Sequence, residues 1–210
     1  MNLKDSDAVL QNFQELADLA SAQGAGMTRC LLRLSVLIIL LMASAAGWAA
    51  WLQANGNFHA VIAGELYRSA QPDTAHLEKW VADHHIRSVV NLRGASEAAW
   101  YRGEREASAR LSLIHVDFAM RDSEMVSEAQ AQDLVALLDS LPKPILIHCK
   151  AGSDRTGLAA ALYLAGHGYG EATAERQISF RYGHVSLPFS AAWPMDLSWE
   201  ELEPGLGYAG

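Results

Sequence analysis

The pattern of apolar and polar residues divides the chain near residue 55. Before that point, residues 34–52 carry no charged side chain and are about long enough to cross a hydrocarbon core of roughly 30 Å. The run also lacks the polar face of a surface helix. After that point, short apolar runs alternate with amphipathic stretches, which is typical of an α/β fold. We therefore expect a short tail over 1–28, a transmembrane anchor over 29–54 and a globular domain over 57–210.

Basic residues are distributed unequally around the apolar run. Arg29 and Arg33 precede its core, whereas the next basic residue is Arg68. The positive-inside rule then places the N-terminus in the cytoplasm and the domain in the periplasm or outside the cell. The alternative is a secretory signal that begins at Met27 and is cleaved after Ala43-Ser44-Ala45. We prefer a single-pass anchor, because apolar residues continue beyond that cleavage site.

Within the predicted domain, Cys149 stands between the apolar run "ILIH" and the helical pattern "RTGLAAALYLAGHG". It therefore lies at the carboxyl end of a strand, where open α/β sheets bind their ligands. The other predicted elements are, in chain order, a hairpin turning near Gly64, a helix capped by Asp73 or Thr74, a strand at "IRSVVNLRG", a helix capped by Ser96 and running to about Arg110, a strand at "LSLIHVDF" and a helix capped by Ser127.

Composition narrows the class of function. A chain of 210 residues that is half hydrophobic can bury one sizeable core. Its formal net charge of -8 argues against a nucleic-acid binder, so an anionic substrate must be held by a local basic pocket. Of the two cysteines, Cys30 borders the apolar segment, and Cys149 is left as an unpaired thiol in the domain.

The segment after Cys149 suits the binding of an oxyanion. Small residues in "KAGSD" allow consecutive backbone N–H groups to turn inward, and the following helix adds unpaired amides and the positive end of its dipole. Arg155 can hold two phosphate oxygens with its planar guanidinium group. This positive surrounding favours the thiolate of Cys149, which could attack phosphorus while the loop binds the other oxygens.

Five residues of this segment, His148, Cys149, Gly152, Arg155 and Thr156, match the pattern H-C-x-x-G-x-x-R-[ST]. The pattern resembles the signature of the cysteine-dependent protein tyrosine and dual-specificity phosphatases. The stretches "GELYRSAQP" and "VVNLRG" make the domain similar to compact bacterial members of that superfamily. The resemblance implies a central mixed, largely parallel sheet flanked by helices, here preceded by one transmembrane helix.

The resemblance also implies roles for the residues of the signature. Cys149 would be the nucleophile that forms a phosphocysteine, and Arg155 would clamp the phosphate. Thr156 would ease departure of the thiolate, and His148 would orient the loop and tune the thiol. The phosphate would be bound by the loop as a whole, whose members are Lys150, Ala151, Gly152, Ser153, Asp154 and Arg155. No cofactor and no metal are implied.

The general acid is open between two aspartates. Related enzymes carry an aspartate on a loop after a strand, and Asp122 in "VDFAMRDSEMVS" is best placed for it, whereas Asp117 lies within the apparent strand. Asp154 resembles the acid position of myotubularin-like phosphatases with a D-R-T loop. We place slightly more weight on Asp154, because it is fixed inside the signature. Each aspartate could instead have only a structural role, Asp154 orienting the loop and Asp122 capping a turn.

Basic residues near the predicted site give indications about the class of substrate. Lys150 follows the cysteine as in lipid-directed loops, but Ser153 stands where those loops have a second lysine. Arg93 and Arg68 are candidates for the pocket rim, with a structural role as the alternative. The histidines His76, His84 and His85 lack ligand partners at suitable spacing, and we interpret them as surface residues.

Three interpretations of the function follow. The first is a metal-independent phosphomonoesterase, a tyrosine or dual-specificity phosphatase that acts on a phosphorylated protein or a small phosphate ester. The second is a phosphatase of inositol phosphates or phosphoinositides. The third is an inactive phosphate-binding module, which the presence of nucleophile, clamp and hydroxyl together disfavours. In each case the domain would be attached to a membrane through the N-terminal helix and would not bind nucleic acid.

Overall fold

The computed structural model describes residues 31–208, so the predicted tail, Arg29 and Cys30 lie outside the described residues. The chain divides into two compact units, one up to Ala49 and one from Ala50. Helix α1 (Leu31–Ala54) has a mean hydropathy of 2.0 and is long and apolar enough to cross a membrane. The second unit already includes Leu52, which is buried, so this unit begins before the expected start at residue 57.

The second unit is built on a five-stranded sheet with the spatial order β1-β2-β5-β3-β4. Strand β1 runs antiparallel to β2, and the other neighbours are parallel, which confirms the expected mixed, largely parallel sheet. The central strands are buried throughout because helices cover both faces. The strands are β1 (His59–Ile62), β2 (Leu66–Ser69), β3 (Ser88–Asn91), β4 (Ile114–Asp117) and β5 (Ile145–His148).

Among residues 31–208, six further helices cover the sheet in two layers, because alternate side chains of each strand point to opposite faces. Ile145 and Ile147 pack on one face with α4, α5 and α7, whereas Leu146 packs on the other with α2 and α3. The helices are α2 (Thr74–His84), α3 (Ala99–Arg110), α4 (Glu128–Ser140), α5 (Asp154–Gly166), α6 (Glu171–Glu175) and α7 (Trp193–Leu202), with 3-10 turns at Phe180–Tyr182 and Glu203–Leu206.

The predicted helix caps are partly confirmed. The Asp73 side chain accepts from the amide of His76 at the start of α2, and Ser127 accepts from the amide of Gln130 at the start of α4. The expected cap of α3 at Ser96 is wrong, because the helix begins at Ala99. The Ser96 hydroxyl accepts from the amide of Ala98 in a local turn, so the helix begins only after this turn.

The register of the parallel strands brings their carboxyl ends to one edge. His148 of β5 lies beside Ser69 of β2 and beside Asn91 of β3, and Asn91 lies beside Asp117 of β4. The four loops that follow these residues therefore meet at the same edge of the sheet. This arrangement gathers side chains that are far apart in the sequence around Cys149.

Candidate active site

The loop between β5 and α5 curls around the side chain of Cys149. This thiol is free and only 1% exposed, and the backbone N–H of Gly152 donates to its Sγ atom at 3.3 Å. Gly152 has a φ of +76°, and a Cβ atom there would lie 2.7 Å from the carbonyl oxygen of Ser69. Both the conformation and the close approach to β2 therefore require glycine at this position.

Two polar groups at the start of α5 are buried without a hydrogen-bond partner among the described residues. They are Nε of Arg155 and the hydroxyl of Thr156. The other guanidinium nitrogens of Arg155 have partners, with Nη2 3.2 Å from Oδ2 of Asp122 and Nη1 donating to the carbonyl of Met120 at 3.3 Å. Together with the first amides of α5, these groups can donate to an oxyanion or to a thiolate.

Arg68 lies beneath the loop, so its expected place at the pocket rim is wrong. Its guanidinium group is fully buried, and Nη2 donates to the carbonyl of Gly152 at 2.7 Å and to that of Ser153 at 3.3 Å. Nη1 donates to the backbone and side-chain oxygens of Gln177, at 2.7 and 2.9 Å. Burial lowers the pKa of Arg68 to about 10, which still leaves the group charged at neutral pH.

Arg93, the other candidate for the pocket rim, lies in the loop after β3. It is half-buried, its guanidinium carbon lies 3.7 Å above the centre of the Trp100 ring, and Nη1 donates to Gln71 at 3.0 Å. Burial lowers its pKa, and the positive charge of Arg155 adds to this effect. Arg93 and Arg155 therefore contribute to the same electrostatic environment.

The signature histidine is fixed by a buried carboxylate. Nε2 of His148 lies 3.0 Å from Oε1 of Glu104, which also contacts Nε2 of His115 at 2.6 Å, and Gln71 donates to the other oxygen. Burial alone would raise the pKa of Glu104, but hydrogen bonds from His115 and His148 outweigh it and lower the pKa to about 2. The sequence gives no signal for this cluster, since Glu104 is one of several charged residues in α3.

The three candidate aspartates have different surroundings. Asp117 accepts from the side-chain amide of Asn91 at 2.8 Å and from the hydroxyl of Tyr101. These hydrogen bonds give the Asp117 side chain a structural role at the end of β4. Asp122 is 42% exposed and paired with Arg155. Asp154 begins α5 and accepts from the hydroxyl of Ser153 at 3.1 Å.

A histidine that the sequence analysis did not single out completes the surroundings of Asp154. His184 is buried after the 3-10 turn Phe180–Tyr182, with Nδ1 2.7 Å from Oδ1 of Asp154 and Nε2 2.9 Å from Oδ2 of Asp196. Burial opposes a charge on this ring, but the hydrogen bonds to the two carboxylates outweigh it and raise the pKa of His184. The sequence signal for its burial is the aromatic and apolar composition of the surrounding stretch "RYGHVSLPFSAAWP".

Of the remaining loop residues, Lys150 faces solvent and Ala151 is held by hydrogen bonds. The carbonyl of Ala151 accepts from the side chains of Asn57 at 2.9 Å and Gln53 at 3.4 Å. The loop is thus held from below by Arg68 and from the side by the segment that enters the domain. Outside the loop, His76 bonds to Asp73, His84 stacks on Phe58, and His85 caps α2.

Comparison with known proteins agrees with this geometry. A profile of the tyrosine phosphatase family matches residues 52–176, which is more than half of the chain and includes the loop and most of the sheet-and-helix core. The chain belongs to the tyrosine phosphatase family. The family resemblance inferred from the signature is therefore confirmed.

Two curated relatives are similar to parts of the chain. The dual specificity protein phosphatase TpbA of Pseudomonas aeruginosa is 30% identical over 100 residues, which are 47% of this chain and 42% of TpbA. The protein tyrosine phosphatase domain-containing protein 1 of Bos taurus is 27% identical over 139 residues, 58% of this chain and 18% of that protein. The chain thus spans less than half the length of either relative.

Solved structures share the fold at low sequence identity. The crystal structure of P. aeruginosa TpbA has a TM-score of 0.57 at 21% identity and covers 71% of this chain and 88% of its own. Tk-PTP in its active form has a TM-score of 0.56 at 19% identity, with 70% and 97% covered. PTPMT1 has a TM-score of 0.54 at 18% identity, with 71% and 98% covered.

The cluster around Glu104 predicts how the stability of this tyrosine phosphatase family member depends on pH. A carboxylate with a depressed pKa stabilises the fold above its ordinary value of 4.5 and loses that contribution as pH falls toward about 2. In Glu104→Gln, we expect a loss of about 3 kcal/mol in the free energy of unfolding at pH 7 and a flatter decline below pH 5. Chemical unfolding followed by circular dichroism from pH 7 to pH 2 would measure both.

The matched control is Glu124→Gln, which removes a carboxylate whose side chain is 61% exposed. It should follow the wild-type pH dependence closely. An acid decline in Glu104→Gln as steep as that of the wild type would contradict the assignment of this carboxylate as the stabilising charge.

Proposed function

We propose that the chain is a metal-independent phosphomonoesterase that works through a phosphocysteine intermediate and accepts phosphorylated protein side chains or small phosphate esters. The observation that carries the proposal is the buried thiol of Cys149 inside a loop that ends at Arg155 and Thr156, where Nε and the hydroxyl are buried without partners among residues 31–208. Membership of the tyrosine phosphatase family supports it.

The geometry suggests how the first step would proceed. The loop amides and Arg155 would bind the three non-bridging oxygens of the phosphate and place its phosphorus opposite Cys149. The thiolate would then attack, so that the S–P bond forms and the bond to the leaving oxygen breaks. In the second step a water molecule would attack phosphorus, and the Thr156 hydroxyl would stabilise the departing thiolate.

A carboxyl group must protonate the leaving oxygen, and we favour Asp154 over Asp122. The charge partner of Asp122 is Arg155, which does not give up a proton and is needed for the phosphate. The partner of Asp154 is His184, a group that can exchange protons near neutral pH. Asp154 is also fixed by the first turn of α5, whereas Asp122 lies in a turn outside the helices and strands.

The first experiment is hydrolysis of phenyl phosphate by the purified full chain with EDTA, comparing wild type with Cys149→Ser, Asp154→Asn and Asp122→Asn. We expect no turnover in Cys149→Ser, because serine at this position is a far weaker nucleophile. Loss of the general acid should reduce kcat/KM by about 100-fold or more in Asp154→Asn. Rapid quenching and intact mass measurement should detect a phosphate adduct on wild type and none on Cys149→Ser.

Asp122→Asn serves as the matched control, since it removes a carboxylate at the same edge of the sheet. A larger loss in Asp122→Asn than in Asp154→Asn would reverse the assignment of the acid. A folded wild-type chain that hydrolyses neither aryl phosphates nor inositol phosphates, yet binds phosphate, would leave the inactive binding module as the function.

A second substrate class is favoured by the positive charges beside the loop. Arg93 lies near Arg155, and Lys150 is exposed next to the nucleophile, so a substrate with several phosphates could make additional ion pairs. An inositol phosphate or phosphoinositide has this chemistry. If the chain acts on such a substrate, replacing Arg93 should raise the KM for that substrate strongly.

In Arg93→Ala, we therefore expect KM for inositol trisphosphate to rise about tenfold, the cost of one charge-assisted contact, with KM for phenyl phosphate nearly unchanged. Arg110→Ala is the control, because Arg110 is an exposed arginine at the opposite end of α3 from Trp100. Equal changes in KM for both substrates would argue for phosphoprotein or simple monoester substrates.

We also infer that α1 anchors the domain to a membrane, with the domain on the outer or periplasmic side. The length and hydropathy of Leu31–Ala54 and the position of Arg33 at its start support this inference. An anchor should keep the chain in membranes washed with alkaline carbonate. Release of a shortened chain by the same wash would favour a cleaved signal sequence.

A further inference from the structure

His184 joins two carboxylates that belong to different helices. Asp154 begins α5 at the phosphate loop, and Asp196 lies in the first turn of α7. The His184 side chain has no exposed surface, and its two nitrogens lie 2.7 Å from Asp154 and 2.9 Å from Asp196. Among the described residues, His184 thus connects the C-terminal part of the chain to Asp154.

These two contacts require at least two protons in the cluster. A carboxylate only accepts hydrogen bonds, so each ring nitrogen must donate a proton or else accept one from a protonated carboxyl group. The arrangement therefore consists either of an imidazolium between two carboxylates or of a neutral ring beside one carboxylic acid. Moving one proton along the 2.7 Å contact converts one form into the other with little movement of heavy atoms.

The charges around the cluster favour the imidazolium form. Behind Asp196 lies a cleft of about 310 Å³ lined by four glutamates, which adds negative charge on the far side of the ring. Two positive groups lie near Asp154, namely Arg68, which is buried under the loop and interacts with Asp154, and Arg155, which is the next residue of α5. The four glutamates of the cleft are Glu171, Glu175, Glu200 and Glu203.

We propose that His184, held by Asp196, is a positioning residue that orients Asp154 and determines whether Asp154 carries the proton for the leaving group. The inference rests on the proposed function of Asp154 as general acid. Oδ1 of Asp154 is fixed by His184, so Oδ2, which the Ser153 hydroxyl contacts at 3.1 Å, is left for the substrate. Asp196 acts through His184 and would not touch the substrate.

The movement of protons in the two steps shows how His184 would assist Asp154. Before the first step the cluster carries three protons, two on the His184 imidazolium and one on Oδ2 of Asp154. As the S–P bond forms, the electron pair of the breaking P–O bond stays on the leaving oxygen, which takes the proton from Oδ2 of Asp154. Asp154 is then a carboxylate beside the His184 imidazolium. In the second step Asp154 takes a proton from the attacking water, and the electron pair of the S–P bond returns to Cys149 as thiolate. The charged ring stabilises Asp154 between the steps.

The first test compares leaving groups in His184→Gln, because an acid is needed most when the leaving group is a poor one. We expect kcat/KM to fall about tenfold or more for phenyl phosphate, whose phenol has a pKa near 10, and less than about threefold for the more acidic p-nitrophenol. Structural damage to the loop would lower both values equally. Equal losses for the two substrates would therefore overturn the proposal.

The second test is the pH profile of Asp196→Asn, which keeps the size of the side chain and removes its charge. Without that charge His184 becomes neutral at lower pH, so the positive charge beside Asp154 is lost. The basic limb of kcat/KM for phenyl phosphate should move upward by about one pH unit. A limb at the wild-type position would overturn the proposal, even if His184→Gln failed to fold.

Two controls separate these outcomes from other failures. Asp133→Asn removes one exposed carboxylate from α4 and should leave both the leaving-group dependence and the pH profile unchanged. Cys149→Ser tests the proposed function itself. If Cys149→Ser were as active as wild type, the thiolate mechanism would fail, whereas an inactive Cys149→Ser with unaltered His184 and Asp196 variants would refute only the role of His184.

Discussion

The candidate site depends on one buried cation, Arg68, which lies beneath the loop between β5 and α5. A loop that points its N–H groups at a phosphate must point its carbonyl groups into the protein, where they need donors. Arg68 supplies those donors to Gly152 and Ser153, and its other nitrogen is held by Gln177. Removing this guanidinium group would leave buried carbonyl oxygens unpaired, so the shape of the anion site is maintained from beneath.

The sheet gives Arg68 its position. Strand β2 lies next to β5 in parallel register, with Arg68 beside Ile147 and Ser69 beside His148. The side chain can therefore reach under the loop that follows β5 and stack on the ring of Tyr182 at 3.8 Å. Gly152 completes the fit, because the loop touches the backbone of β2 at a point where no side chain has room. The pairing of β2 with β5 thus determines both the position of Arg68 and the close contact at Gly152.

The sequence predicts the local parts of this structure well. Strand, loop and helix around Cys149 follow from a short pattern with a strong physical reason at each position, and the caps at Asp73 and Ser127 follow from side chains that bond within one turn. The mixed, largely parallel sheet follows from the family resemblance. Local hydrogen bonding also explains the misplaced cap of α3, since Ser96 bonds within a turn rather than to the helix.

Interactions between distant segments could not be predicted in the same way. Arg68, Glu104 and His184 bond to residues at least 30 positions away, and periodicity does not specify such partners. A charged residue in an amphipathic pattern is expected at the surface, so the burial of Arg68 and Glu104 contradicts that general rule. Arg68 is buried because it pairs with carbonyl groups of the loop after β5, and Glu104 is buried because it pairs with His148 of β5 and His115 of β4.

The segment where the chain enters the second unit supports the loop after β5. Leu52 is buried in the domain, and Gln53 and Asn57 both donate to the carbonyl of Ala151. A signal peptidase that cut after Ala45 would leave all three of these residues on the mature chain. The released and the membrane-bound forms would then carry the same phosphate loop with the same supports, and retention of the N-terminal helix would change where the protein resides without changing its active site.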